Sequence, residues 1–202
     1  MIKMKVKTLC VVLLSILVTS CNIRHAKNIK DCEFSLNSVS NVSVNNVALD
    51  SKNILKSLTL LTQIMSVGKT SEIPISFLAE LKIDNPNNEK AELTALEWIL
   101  LIRDIEVATG VVDQKVKIDA KQTTFVTIPV ETNTNVLKKL SPQEINTLVT
   151  NLSNSRGLPR NSVLKVKPAM KIGKKMLKTP NYFTIDVSGK YFTAQRKKRR
   201  NS

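Results

Sequence analysis

Three cysteines, one histidine, a near pair of carboxylates and a run of five basic side chains are the residues of this 202-residue chain with the types and spacing to do chemistry. Thiol chemistry could come from Cys10, Cys21 or Cys32. A nucleophile–base arrangement would need His25, the single histidine. It lies in the polar stretch NIRHAKNIKD, a poor place to hold a base within hydrogen-bond reach of a nucleophile. One histidine also excludes multi-histidine metal sites. Asp104 and Glu106 could form a carboxylate pair, but neighbouring charges on one strand are ordinarily solvated. No Gly-rich phosphate loop follows a strand, and no CxxC, HExxH or EF-hand pattern occurs. Arg196, Lys197, Lys198, Arg199 and Arg200 could contact a polyanion. No aromatic residues interleave with them, so an anionic lipid headgroup or an envelope polysaccharide fits better than nucleic acid. The alternative is a solvated terminus. Trp98 sits inside a strongly apolar run and reads as core rather than as a ligand platform. None of this announces an enzyme, and no cofactor is expected beyond a covalent lipid.

That lipid is implied by the N-terminus. Lys3, Lys5 and Lys7 precede an apolar run of ten residues, LCVVLLSILV, and then come Thr19, Ser20 and Cys21. A basic region, a short apolar region and small residues are the pattern of a cleaved export signal. The run is shorter than the roughly 20 residues of a spanning helix. Val18-Thr19-Ser20-Cys21 resembles a bacterial lipobox, which implies cleavage before Cys21 and acylation of its thiol. The alternative is an ordinary secretory signal with Cys21 a bystander. Asn22 is not the Asp that serves some bacteria for inner-membrane retention, so the expected location is the cell envelope, lipid-anchored at the outer membrane. Cys10 leaves with the signal, and Cys32 alone remains as a free thiol, so no internal disulfide forms. Cys32 reads as a small hydrophobe at the start of a strand, or else as a reactive thiol. The formal charge falls from +15 to +12 once Lys3, Lys5 and Lys7 are removed, and to about +7 without the five tail charges.

The elements behind these residues are mostly short strands. Residues 1–20 are the signal, 21–32 a tether, 33–193 the domain and 194–202 a basic tail. Residues 34–49 alternate weakly and predict two short strands or one bent one, with Asn turns. Residues 54–67 place Leu58, Leu61, Ile64 and Met65 at helical spacing, although a strand is the alternative. Residues 74–84 alternate cleanly, with Ile75, Phe77, Ala79, Leu81 and Ile83 on one face. Residues 93–103 are apolar on both faces in the middle and fit a central strand covered on both sides, with a helix the alternative that periodicity leaves open. Alternation resumes at 115–119 and 124–131. Ser141-Pro142-Gln143-Glu144 is a capping box with Pro at the first helical position, followed by Ile145, Leu148, Val149 and Leu152, and predicts a helix over 142–154. Residues 163–172 alternate around Pro168, which points to an edge or bulged strand guarded by lysines. Residues 182–187 complete the set. The expected class is mainly β: an immunoglobulin- or fibronectin III-like antiparallel β-sandwich with one or two short helices.

The stretch from Ile73 to Val130 resembles the late embryogenesis abundant type 2 family, also called the WHy (water stress and hypersensitive response) domain. The residues that carry the resemblance are IPISFLAELKIDNPNN with Asn85, Pro86 and Asn87, then ALEWILLIRD, EVATGVV with Gly110, and TTFVTIPVET. YFTIDVSGKYF resembles the closing strand, so the similarity covers about 73 to 192. CEFSLNSVSNVSV resembles lipidated envelope members from Bacteroidota-like bacteria. The charged pair Glu89-Lys90 and the long tail depart from the pattern. The resemblance implies the sandwich fold, no catalytic residues, and a protective role in desiccation, osmotic stress or envelope integrity. Asn85, Pro86 and Asn87 match the family turn, and turn formation accounts for them. The other reading is a binding module that shows an edge or loop to an envelope protein or glycan.

Overall fold

The computed structural model describes residues 28–49, 72–153, 157–172 and 175–187. The expected signal, Cys21, the helix over 54–67 and the basic tail lie outside the described residues. A 3-10 turn at Ile29–Asp31 opens the fold. The strands are β1 (Glu33–Val44), β2 (Val47–Ala48), β3 (Pro74–Asp84), β4 (Ala91–Leu93), β5 (Ala95–Ile102), β6 (Ile105–Val112), β7 (Val116–Ile118), β8 (Thr123–Asn133), β9 (Ser162–Ile172), β10 (Lys175–Lys178) and β11 (Phe183–Asp186). Two helices, α1 (Thr134–Leu137) and α2 (Pro142–Ser153), lie between β8 and β9.

Every strand pairing among the described residues is antiparallel. One sheet runs β2-β1-β3-β8 and the other β10-β9-β5-β6, with β11 also on β9, and a short β4–β7 ladder completes the set. This is the antiparallel β-sandwich expected of the sequence. β3 shows why it forms. Its odd-numbered side chains from Ile75 to Ile83 are all buried, and the even-numbered ones are more exposed. Burying each large one stabilises the fold by about 1.5–3 kcal/mol. Both sheets feed one core, in which Leu81 and Ile83 of β3 and Val126 and Ile128 of β8 share a cluster with Leu96, Leu100 and Leu164 from the facing sheet. The rings of Phe34 and Phe183, 4.8 Å apart and tilted by 43°, join the sheets along one side. On the other, Thr132 Oγ1 donates to the Val107 carbonyl at 2.7 Å, drawing β8 to β6.

Tight turns set the registers. Asn45 and Asn46 (φ 50° and 62°) turn β1 into β2, and Arg103 and Asp104 (φ 50° and 62°) turn β5 into β6. Two successive positive φ values match the twist of a hairpin. Arg103 occupies this region at a cost that its ion pair to Glu144 of α2 (2.9 Å) helps offset. β1 bends at two register shifts, the second at Asn41 with φ 52°. At α2 the capping box closes as expected: Ser141 N donates to Glu144 Oε2 at 2.8 Å, and Glu144 N donates to Ser141 Oγ at 3.4 Å.

Three local expectations are corrected. The strand over 163–172 is central, because β9 pairs with β5 on one side and with β10 and β11 on the other. Pro168 is tolerated because it lies between the registers of β10 and β11, where its carbonyl accepts from Thr179 N at 3.0 Å. The segment over 93–103 is two strands. Thr94 separates β4, paired with β7, from β5, paired with β9 and β6. Only one face of β5 is fully buried, since Glu97, Ile99 and Leu101 on the other are partly exposed. Residues 28–32, within the stretch expected as tether, pack into the body, with Ile29 and Cys32 buried.

Candidate functional site

The Asn85-Pro86-Asn87 turn follows β3, and its geometry is that of an internal hub. Asn85 is a polar residue only 2% exposed. A buried amide must use its full bonding capacity or destabilise the fold. Asn85 Nδ2 donates to the carbonyls of Glu89 (3.0 Å), Ile118 (3.1 Å) and Asp119 (2.9 Å). Its Oδ1 accepts from Asn87 N (3.0 Å) and Asn87 Nδ2 (2.8 Å). Asn87 Nδ2 reaches on to the Asn28 carbonyl (3.0 Å), and Asn28 Nδ2 donates to the Lys90 carbonyl (3.0 Å). Lys121 Nζ donates to the Pro86 carbonyl at 2.6 Å. Three asparagines thus tie together the N-terminal turn, the β3–β4 loop and the β7–β8 loop. Asn28 was not singled out by the sequence; nothing but its placement four residues before the buried Cys32 at the entry to β1 marks it.

Two titratable groups beside the hub are shifted, Cys32 and Asp84. The Cys32 thiol faces the Asn28 carbonyl (3.6 Å) and Asn85 Oδ1 (3.8 Å). Burial, with Asp31 and Asp84 nearby, pushes its pKa up to about 12. A thiol so placed stays protonated and is a poor nucleophile, which is the small-hydrophobe reading of the residue. Asp84 is partly desolvated, which opposes ionisation, yet hydrogen bonds from Lys82 and Thr123 hold its pKa below the usual value. Among the described residues no group of three His, Cys, Asp or Glu side chains could hold a metal ion. Asp104 and Glu106 sit at and just after the β5–β6 turn, both exposed. Trp98 is buried against Gly110 of β6, where a Cβ would lie 2.7 Å from the indole. Cys21 and Arg196 to Arg200 lie outside the described residues. Among those residues no helix is long and apolar enough to cross a membrane.

What the body presents outward is therefore surface. The open face of the β1-β3-β8 sheet is rich in hydroxyls, with Ser43 and Ser76 in contact at 2.7 Å. Phe125 on β8 and Val111 on β6, at 51% and 61% exposure, are apolar residues left on the two adjoining edge strands. The open face of the other sheet carries Lys165, Lys167 and Lys171 of β9, and Lys178 of β10 is ion-paired to Glu97. The β9 lysines, expected as edge protection, stand on a central strand, and β10 is a strand outside the expected set. The alternating Lys-Met-Leu-Lys of residues 175–178 was the available signal.

Residues 80–189, more than half of the chain, match the model of a family described as late embryogenesis abundant protein. No curated protein matches the chain. Among solved structures, a crystal structure of a protein from Archaeoglobus fulgidus is 17% identical, covering 74% of this chain and 91% of that one, with a TM-score of 0.34. A solution structure from Arabidopsis thaliana is 14% identical, covers 75% of this chain and 80% of that one, and has a TM-score of 0.36. The solution structure of a candidate late embryogenesis abundant protein is 13% identical, covers 87% of each chain and has a TM-score of 0.34.

Proposed function

This chain belongs to the late embryogenesis abundant type 2 family, and from that premise we propose that it is a non-catalytic, lipid-tethered domain of the cell envelope that protects the envelope under desiccation or osmotic stress. The observation that carries the reading is the hub. The most family-specific residues, Asn85 to Asn87, direct their polar atoms inward to backbone carbonyls and to one another. They brace loops and offer no open pair of donors to a substrate. The lipobox-like Val18-Thr19-Ser20-Cys21 supports the tether, because several acyl chains at about 0.8 kcal/mol per buried CH₂ hold a soluble domain at a membrane. Acyl labelling and membrane fractionation of wild type and Cys21→Ala test the anchor. Retention of label and membrane association by the variant would refute it. The protective role predicts that a deletion strain loses viability on drying or osmotic shock and recovers with the intact gene.

A second reading, a binding module for an envelope protein or glycan, is favoured by Phe125 and Val111 on the sheet edges. Crosslinking in intact cells separates the two. A single stoichiometric partner lost on Phe125→Ser or Val111→Ser supports the module; stress sensitivity without a partner supports protection.

A further inference from the structure

Among the described residues the β9–β10 hairpin carries a run of lysines. Lys165, Lys167 and Lys171 occupy odd-numbered positions of β9, so their side chains share one face, roughly 7 Å apart from Lys165 to Lys167 and roughly 14 Å from Lys167 to Lys171. On the neighbouring strand, about 4.8 Å away, Lys178 is in register with Ala169 and shares that face, whereas Lys175 is in register with Ile172 and stands on the other. Three acids hold register positions on the same face: Glu97, taken up by Lys178, Glu106 on β6, the far strand of this sheet, and Asp186 of β11, in register with Val163. Among the described residues Lys165, Lys171 and Lys175 have no ion pair, and Lys167 lies 5.2 Å from the centre of the exposed Tyr182 ring. All four residues of β10 are exposed, and Met176 and Leu177 among them are apolar, at 45% and 48%. Apolar side chains flanked by lysines on a projecting edge match the interface of a bilayer, where stems enter the acyl boundary and ammonium groups meet phosphate.

The position of the N-terminus agrees. Asn28 is bonded to the Lys90 carbonyl. Lys90 is four residues, at most about 14 Å of chain, from Thr94. Thr94 N donates to the Ala169 carbonyl at 2.8 Å, and Lys171 N donates to Thr94 Oγ1 at 2.7 Å. Ala169 is in register with Lys178 of β10. The chain therefore enters the body at the end where the hairpin projects. From Cys21 to Asn28 the backbone can span no more than about 25 Å.

We propose that the β9–β10 hairpin is a docking face for an anionic phospholipid bilayer, which sets the domain's orientation on the membrane that anchors it. The orienting role rests on acylation of Cys21, but docking itself does not, so the two can fail separately. The core described here is built from residues between Ile29 and Val187, so the test uses the chain from Asn22 to Ser202, without lipid. Its binding is measured by co-sedimentation with vesicles of phosphatidylcholine alone and with about one-third phosphatidylglycerol.

The chain is expected to bind only the anionic vesicles and to weaken as salt rises through about 0.2 M. Lys165→Gln, Lys167→Gln and Lys171→Gln together should weaken binding at least about tenfold, since each basic residue near such a surface contributes several-fold. The same three positions as arginine should bind like wild type. Lys138→Gln, Lys139→Gln and Arg160→Gln remove equal charge near the helices and should change affinity by less than about threefold. Circular dichroism of each variant checks the fold, and the arginine variant keeps the test decisive if the glutamine variant unfolds. Docking through the hairpin is overturned if the two glutamine triples weaken binding equally. It is also overturned if deletion of 196–200 abolishes binding while the hairpin triple binds normally, or if the chain ignores anionic vesicles. Acyl labelling at Cys21 in cells reads the anchor independently.

Discussion

Replacing Asn85 by Leu removes the amide at the centre of the hub while keeping its branched outline. Three carbonyls, those of Glu89, Ile118 and Asp119, lose their donor, and Asn87 N loses its acceptor. An unsatisfied buried polar group costs about 1–3 kcal/mol. The bond to Ile118 is buried and counts in full, whereas water can reach the partly exposed Glu89 and Asp119 carbonyls. The sum is roughly 3–5 kcal/mol. For a chain of this size each kcal/mol moves Tm by about 2–4 °C, so the expected loss is about 6–20 °C. Asn87→Ala removes only partly buried bonds and should cost about 1–2 kcal/mol. Thermal melts followed by circular dichroism give the values. A loss below about 3 °C for Asn85→Leu, or a larger loss for Asn87→Ala, would refute the idea that this amide braces the loops.

Gly110→Ala puts a Cβ 2.7 Å from the indole of Trp98; overpacking of this kind costs about 1–3 kcal/mol, and because Trp98 is the single tryptophan its fluorescence should shift along with Tm. The smaller ring of Trp98→Phe should recover part of the loss in the double variant. Ser141→Ala removes the cap of α2 and should destabilise by about 1 kcal/mol in denaturant titration. Glu144 is held below the usual carboxylate range by the Ser141 backbone N–H, then the Ser141 hydroxyl, then Arg103. A lowered folded-state pKa gives stability that is present above the unfolded value and is lost as pH falls through the folded one. Wild type should therefore lose more stability than Glu144→Gln on acidification below about pH 4.5. Cys32, its pKa pushed up to about 12 by burial and by Asp31 and Asp84, should resist thiol reagents at pH 8 in a chain carrying Cys10→Ser and Cys21→Ser, and react only on denaturation. Rapid native labelling would contradict that.

The strand over residues 74–84 was legible because half-buried strands advertise a period of two, and α2 because a capping box and its apolar stripe coincide at Ser141 to Leu152. What could not be read was which strands lie beside which. The alternation of residues 163–172 is the same for a central and an edge strand, and Pro168 argued for an edge because a proline lacks a donor. The structure answers by placing it at the step between β10 and β11. Thr94 was hidden for a similar reason: nothing local distinguishes one long apolar strand from two that change partners at a threonine. Ile29 and Cys32 are isolated apolar residues in a polar stretch, and such a signal is too short for periodicity. Asn85 was legible as a turn residue. Its burial was not, because the carbonyls it serves come from residues 118 and 119, more than thirty positions away.

The bonds from Asn28 to Lys90 and from Asn87 to Asn28 have a mechanical consequence. A pull on the N-terminal residues is met first by these two amide contacts and by the seating of Ile29 and Cys32, before any ladder bond of β1 is loaded. Extension in an optical trap should show a small early yield that Asn28→Ala abolishes, followed by rupture of the sheet at unchanged force. The first turn would then serve as a shock absorber, giving way under sudden tension while the β-sandwich behind it stays whole.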